Sequence, residues 1–211
     1  MSVVFITGAT SGFGKAIAYK FAVGGWDLIL TGRRLDKLKS VSDDIIEKFG
    51  VNVSILNFDI RHKSEVKNAI DSIPVDRLNK IDVLVNNAGL ALGTDPVQKA
   101  QTEDWDIMID TNIKGLMYCT RAMLPGMVAR GAGQIINLGS VAGSWPYPGG
   151  NVYGGTKAFV QQFSRNLRAD LLGKGIRVTN IEPGMCDTEF SNVRFGGDEA
   201  KAAAVYQGMQ P

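Results

Sequence analysis

The sequence predicts an α/β fold with a doubly wound parallel sheet, and three observations predict it. Short β-branched runs alternate with longer amphipathic stretches, the sign of successive βαβ units. No repeat, low-complexity tail or linker interrupts the alternation. The chain has 211 residues, 45% of them hydrophobic and 21% charged, enough apolar material for one sizeable core without disulfide or metal support.

The first strand is expected at Val3–Thr7, an unbroken β-branched and aromatic run that stops at a glycine, with a helix near 13–24 after it. Asp27–Thr31 follows as the second strand and leads into an amphipathic stretch at 35–49. Val53–Phe58 is the third strand, before a helix near 63–73, and Ile81–Asn86 is the fourth, before a long helix over 103–130. Gln134–Leu138 and Arg177–Ile181 complete six strands, with a helix over 153–173 between them. Right-handed crossovers force the strand order to reverse beside the first strand, which opens a crevice at the carboxyl ends of the strands.

The whole of 1–211 reads as a single domain, with 187–211 an irregular, glycine-bearing segment suited to a substrate lid. A closing helix and a seventh strand would need about 30 further residues. The sixth strand is therefore expected either at an exposed edge or under chain beyond Pro211.

Net charge is +2 and the charged residues of both signs are interleaved, so neither a nucleic-acid stripe nor a membrane-binding face is expected, and the partners are expected to be small molecules. Cys119 and Cys186 give no disulfide framework and no zinc spacing, and no metal is expected. With a strand starting almost at Met1 and no apolar run of the ~20 residues a spanning helix needs, a cytoplasmic location is expected.

Thr7 to Gly14 lies between the first strand and the first helix. Gly8 permits the tight turn, Gly12 lets backbone approach a pyrophosphate, and Gly14 lets the helix pack close to the sheet, while free N–H groups at the helix start face the anion. Thr10, Ser11 and Phe13 belong to the same cofactor-binding turn. After the second strand, where an NAD-binding chain would place a carboxylate for the ribose hydroxyl, stand Arg33 and Arg34. Two guanidiniums can clamp a 2′-phosphate through forked, charge-assisted hydrogen bonds, which favours NADP over NAD.

Tyr153 and Lys157 share one face of the helix after the fifth strand, being four residues apart. A free tyrosine has a pKa of about 10, and a neighbouring cation is expected to lower it, making Tyr153 an acid/base. Ser140, at the end of the fifth strand, can hold the substrate oxygen near the phenol. The set predicts transfer of hydride between a nicotinamide and a carbinol or carbonyl carbon.

Over essentially its whole length the chain resembles the short-chain dehydrogenases/reductases. The resemblance rests on T-G-x-x-x-G-x-G at Thr7 to Gly14, N-N-A-G at Asn86 to Gly89, Asn112, and the Ser140, Tyr153, Lys157 set. It implies that Lys157 also binds the nicotinamide ribose and that Asn112 holds a water in a proton relay. It further implies cofactor contacts from Asp59 and Ile60 at the adenine, from Asn86, Ala88 and Gly89, and from Pro183, Gly184 and Thr188 at the carboxamide. A Rossmann-type strand order 3-2-1-4-5-6-7 is implied, its seventh strand lacking here, as is homo-oligomerisation, a tetramer in the family and in question without that strand.

A narrower resemblance is to the NADP-dependent 3-hydroxy acid dehydrogenases, which act on serine, allo-threonine and related acids; it is carried by Gly143–Tyr147, Gly149–Tyr153 and Thr188–Phe195. Arg194 is the expected partner of the substrate carboxylate, which wants a fork of donors. Two other readings stay open: a general carbonyl or 3-oxoacyl reductase with the same chemistry, and a non-catalytic NADPH-binding sensor. His62 is expected to be an exposed cap or loop residue, Cys186 a small filler near the nicotinamide pocket, and Trp105, Met108 and Ile109 a packing face.

Overall fold

The computed structural model describes residues 2–208. Its centre is a six-stranded, all-parallel sheet in the order β3-β2-β1-β4-β5-β6. The strands are β1 (Val3–Ile6), β2 (Asp27–Gly32), β3 (Val53–Asn57), β4 (Ile81–Asn86), β5 (Gly133–Leu138) and β6 (Ile176–Ile181). Each lies within one residue of its expected bounds. The helices are α1 (Gly12–Val23), α2 (Leu35–Phe49), α3 (Lys63–Asp71), α4 (Val75–Leu78), α5 (Thr102–Ile109), α6 (Leu116–Arg130), α7 (Asn151–Asp170), α8 (Glu189–Arg194) and α9 (Glu199–Ala204).

Strand alternation divides the core into two layers. Val4 and Ile6 face Ala18 of α1 and Leu38 and Ile45 of α2. Phe5, between them in sequence, faces the other way, toward Val66 of α3, Met123 of α6 and Leu167 of α7. All of β1 is buried, as expected of a central strand covered on both faces. Burying its Phe5 alone stabilises the fold by roughly 1.5–3 kcal/mol.

Two expectations are corrected and one element is new. The long helix over 103–130 is broken by a π-helical turn at Asp110–Gly115. Its cause is a tether to a distant loop: Asn112 Oδ1 accepts from Leu90 N at 2.9 Å and its Nδ2 donates to Leu90 O at 2.8 Å, so the side chain is tied to the loop after β4. Such bulges gather at functional sites. The stretch 187–208 is not irregular, because α8 and α9 form in it behind caps: Thr188 Oγ1 accepts from Phe190 N at 3.2 Å and Asp198 Oδ1 from Lys201 N at 3.0 Å. The rest of the expected lid, 209–211, lies outside the described residues. The short helix α4, entered through Pro74, had no predicted counterpart.

The order reverses at β1, between β2 and β4, where both neighbouring crossovers leave the sheet at its carboxyl end. The functional residues gather there.

Candidate active site

A cavity of about 830 Å³ opens over the carboxyl ends of the strands, running from the turn after β1 to α7 and α8. Its floor at one end is the glycine turn. Gly8 and Gly12 have φ of 68° and 51°, conformations that side chains rarely adopt. A Cβ on Gly8 would stand 2.9 Å from Ala88 Cα, and one on Gly14 would stand 2.2 Å from Gly8 O, so the turn is drawn against the loop after β4 by missing side chains. Thr7 Oγ1 accepts from Asn87 N and Ala88 N, each at 2.9 Å, and Asn87 Nδ2 donates to Thr7 O at 2.8 Å. The cradle leaves Gly8, Thr10, Ser11, Gly12 and Phe13 on the cavity wall.

Beside this turn Arg34 Nη2 donates to Thr10 Oγ1 at 2.7 Å and Ser11 Oγ at 2.9 Å. Its Nη1 donates to Glu189 at 2.8 Å, and Lys37 Nζ reaches the same carboxylate at 2.6 Å. These two cations hold the Glu189 carboxyl far below its ordinary value, at about 2. Arg33 is half exposed and stands 3.7 Å from Asp59. Asp59 is gripped by Arg61, whose Nη2 donates at 2.6 Å. Burial raises the Asp59 carboxyl, but the Arg61 hydrogen bonds outweigh it and the net shift is downward. The donor set fits a phosphorylated dinucleotide: a side-chain-free cradle beside two guanidiniums that line the same cavity.

At the other end α7 presents Tyr153 and Lys157, both buried. Close packing puts Ser140 next to them. The 3₁₀ turn at Val141–Gly143 lies so near α7 that a Cβ on Gly143 would be 2.7 Å from Lys157 C, and one on Gly154 would be 2.9 Å from Ala142 O. Ser140 Oγ accepts from Ala142 N at 3.1 Å, which fixes its rotamer. Lys157 Nζ donates to Leu138 O at 2.7 Å and lies 5.8 Å from the centre of the Tyr153 ring.

The protonation pattern differs from the expected one. Burial raises the Tyr153 phenol above its ordinary value, against a lowering by the neighbouring Ser140 hydroxyl and the charge of Arg194. Burial also pushes the Lys157 ammonium down to about 8. The ammonium gives its hydrogen bond to the Leu138 carbonyl, and desolvation of the phenol prevails over the lowering by Ser140 and Arg194.

Arg194 sits at the end of α8. Its Nε donates to Gly93 O at 3.0 Å and its Nη2 to Tyr147 OH at 3.1 Å, with the guanidinium 5.9 Å from the centre of the Tyr153 ring. Phe190, one turn earlier, packs on the same ring at 5.7 Å between centroids. Asp59, Ile60, Ala88, Gly89, Pro183, Gly184 and Thr188 also line the cavity.

Three expected site residues are not on the wall. Gly14 is buried beneath the turn. Asn86 points into the core, donating to Thr120 Oγ1 and Asn137 Oδ1 at 2.9 Å each, because strand alternation sends the next residue, Asn87, to the turn instead. Asn112 lies behind the wall with its amide tied to Leu90 and Thr156; a side chain on Gly89 would come 3.2 Å from its Oδ1 and 3.5 Å from Lys157 Nζ, so the space beside Gly89 separates the two.

His62 is exposed at the start of α3, Cys186 has a free thiol on the cavity wall, and Met108 and Trp105 pack beside Tyr153. Sequence reasoning missed Asn87, Arg61, Lys37 and Glu189. Only Asn87 left a sequence signal, as the second Asn of N-N-A-G.

Comparisons with known proteins agree with this geometry. The short chain dehydrogenase family matches residues 2–197. The NADP-dependent 3-hydroxy acid dehydrogenase YdfG of Escherichia coli strain K12 is 56% identical over 206 residues, spanning 97% of this chain and 81% of that protein. Sulfoacetaldehyde reductase 2 of Chromohalobacter salexigens is 52% identical over 210 residues, 99% of this chain and 82% of that protein. The solved closed form of serine dehydrogenase complexed with NADP+ superposes with a TM-score of 0.92 at 55% identity, covering 99% of this chain and 82% of that one. A short-chain dehydrogenase from Sphingobium yanoikuyae in complex with NADPH superposes at 0.84 with 34% identity, covering 92% of this chain and 75% of that one.

Proposed function

Since this chain belongs to the short chain dehydrogenase family, we propose that it is an NADP(H)-dependent oxidoreductase acting between the 3-hydroxyl and 3-oxo forms of a small 3-hydroxy acid, of the serine, allo-threonine or 3-hydroxyisobutyrate type. One observation carries the choice of substrate: the Arg194 guanidinium stands 5.9 Å from the Tyr153 ring in the same cavity. An anionic group held there leaves a carbinol carbon within reach of the phenol, which a neutral ketone would have no means to match. The names of the two curated relatives, one a hydroxy acid dehydrogenase and one a reductase of a sulfonated aldehyde, fit a site that recognises an anion.

The turn at Gly8 to Gly14 and the Arg33 and Arg34 pair would hold the cofactor's phosphates, with Asp59, Ile60, Ala88 and Gly89 toward the adenosine side and Pro183, Gly184 and Thr188 toward the nicotinamide. When bound, the nicotinamide supplies the two-electron donor or acceptor. Tyr153 gives a proton to the substrate oxygen in reduction and takes it in oxidation, at its phenolic oxygen. Ser140 Oγ donates a hydrogen bond to that oxygen and holds it in place. Lys157 keeps a cation near the phenol and would bind the nicotinamide ribose. Asn112 and Lys157 flank Gly89 on the same side, and a water held between them would complete the proton relay.

Following NADPH absorbance with serine, allo-threonine, 3-hydroxyisobutyrate, sulfoacetaldehyde and simple ketones tests the reading. Turnover of the anionic substrates and not of the ketones is expected. Ketones as the best substrates would point to a general carbonyl reductase, and no turnover at all to a binding protein. The free thiols of Cys119 and Cys186 fit a reducing compartment, so the same proposal places the enzyme in the cytoplasm. It also takes the enzyme to be a homo-oligomer, which sedimentation of the purified chain would check.

A further inference from the structure

Tyr153 and Lys157 stand on α7, while Ser140 and the Leu138 carbonyl stand at the end of β5, so the chemistry needs one helix held at a set height along one strand. Two buried polar side chains join those elements beneath the site. Asn137 of β5 is 0% exposed and Ser164 of α7 is 1% exposed. Asn137 Nδ2 donates to Ser164 Oγ at 2.8 Å, and Ser164 Oγ donates to Val160 O at 2.7 Å. On its other side Asn137 Oδ1 accepts from Asn86 Nδ2 at 2.9 Å, and the same amide nitrogen donates to Thr120 Oγ1 of α6. From Asn86 through Asn137 and Ser164 to Val160 every hydrogen bond runs the same way, which leaves the amide and the hydroxyl one orientation each.

The device occurs twice on α7. Asn112 Nδ2 donates to Thr156 Oγ1 at 3.0 Å, and Thr156 Oγ1 donates to Tyr153 O at 2.7 Å. Thr156 and Ser164 are about 12 Å apart along the helix at a rise of ~1.5 Å per residue, with Lys157 between them. Apolar packing is non-directional and lets a helix slide, whereas a hydrogen bond holds its partners to within a few tenths of an ångström. Two residues before Asn137 on the same face, Ile135 packs in the core layer of Leu167 as an ordinary apolar side chain. Replacing such a residue by a satisfied amide adds little net stability. What it adds is position.

We propose that Asn137 and Ser164 are positioning residues: their hydrogen bond sets how far α7 stands along β5, and so aligns the Tyr153 phenol with Ser140 and the Lys157 ammonium with the Leu138 carbonyl. This rests on the reading that Ser140, Tyr153 and Lys157 carry the chemistry. The Ser140 hydroxyl is one of the groups that lower the Tyr153 phenol, so a helix released from β5 loses that lowering together with the alignment.

Ser164→Ala and, at the far end of the same buried network, Thr120→Val are compared with the full wild-type chain by three readings. These are urea unfolding, kcat at saturating NADP+ with the best hydroxy acid substrate, and the ultraviolet difference titration of the Tyr153 phenol against a Tyr153→Phe background. Both variants are expected to unfold at lower urea, since each leaves a buried donor short of an acceptor. Only Ser164→Ala is expected to lower kcat, by roughly ten- to hundredfold, the loss that a misplacement of about 1 Å brings, and to move the phenol to higher pH. Ser164→Cys, nearly isosteric and a weaker acceptor, gives the same comparison where Ala leaves the chain unfolded. If the Ser164 variant is destabilised yet keeps the wild-type kcat and titration, or if Thr120→Val impairs both as much, the pair only supports the fold and the inference is overturned. Wild-type turnover by Tyr153→Phe would instead defeat the reading of the site, a separate outcome because the phenol titration needs no turnover.

Discussion

The Lys157 ammonium lies 5.8 Å from the centre of the Tyr153 ring, yet its hydrogen bond, at 2.7 Å, runs to the Leu138 carbonyl. The cation is thus stationed beside the phenol and steadied by backbone. Its buried position has a cost to the fold, since burial alone pushes it down to about 8.

Lys157→Met is therefore expected to make the protein more stable at pH 7, by on the order of 1–3 kcal/mol, while abolishing most turnover. A lysine whose folded value lies below its free value disfavours the charged native state. Below about 8 both folded and unfolded chains carry the proton and the native state bears the whole burden; between about 8 and 10.5 only the unfolded chain binds it, so native stability rises with pH. Urea unfolding of wild type and variant should show a gap at pH 7 that narrows toward pH 10. A variant less stable than wild type at pH 7 would contradict this.

Arg194 lowers the Tyr153 phenol that burial raises. Arg194→Ala should therefore move ionisation of that phenol to higher pH, read as the ultraviolet difference titration between each protein and its Tyr153→Phe counterpart. The same variant should raise KM for serine by more than it lowers kcat, because a carboxylate contact is made in the ground state as well as in the transition state. A titration that shifts downward, or an unchanged KM, would remove Arg194 from the site.

Much of this architecture was legible in the sequence, for reasons that differ by element. Val3–Ile6 reads as a buried strand because both its faces are covered, and Gly8, Gly12 and Gly14 read as a phosphate turn because they stand between that strand and a helix. Tyr153 and Lys157 are neighbours by helical spacing alone. What escaped are contacts between residues far apart in the chain: Glu189 meets Arg34 across 155 positions, which no local pattern records. Arg61 and Asp59 are only two residues apart, and there what escaped is the turn between β3 and α3 that folds the guanidinium back onto the carboxylate. The exchange of Asn86 for Asn87 at the cavity is a question of which way a strand's last residue faces, a one-residue matter that inverts the side. The π-helical break escaped because its cause, the Leu90 backbone, lies 22 residues from Asn112.

Arg33→Ala together with Arg34→Ala should weaken NADPH and spare NADH. Charge-assisted hydrogen bonds contribute about 1.5–3 kcal/mol each, so a loss of roughly tenfold or more in NADPH affinity is expected, with a shallower dependence on salt. Fluorescence titration with both cofactors checks it; equal losses for the two would contradict it.

The account turns on Tyr153 as the group that exchanges a proton with the substrate oxygen. Turnover of serine by Tyr153→Phe at saturating NADP+, with cofactor binding measured alongside, tests that most directly. The expected result is a fall in kcat by on the order of 10² to 10⁴ with cofactor affinity kept; a variant that turns over serine as fast as wild type would contradict it.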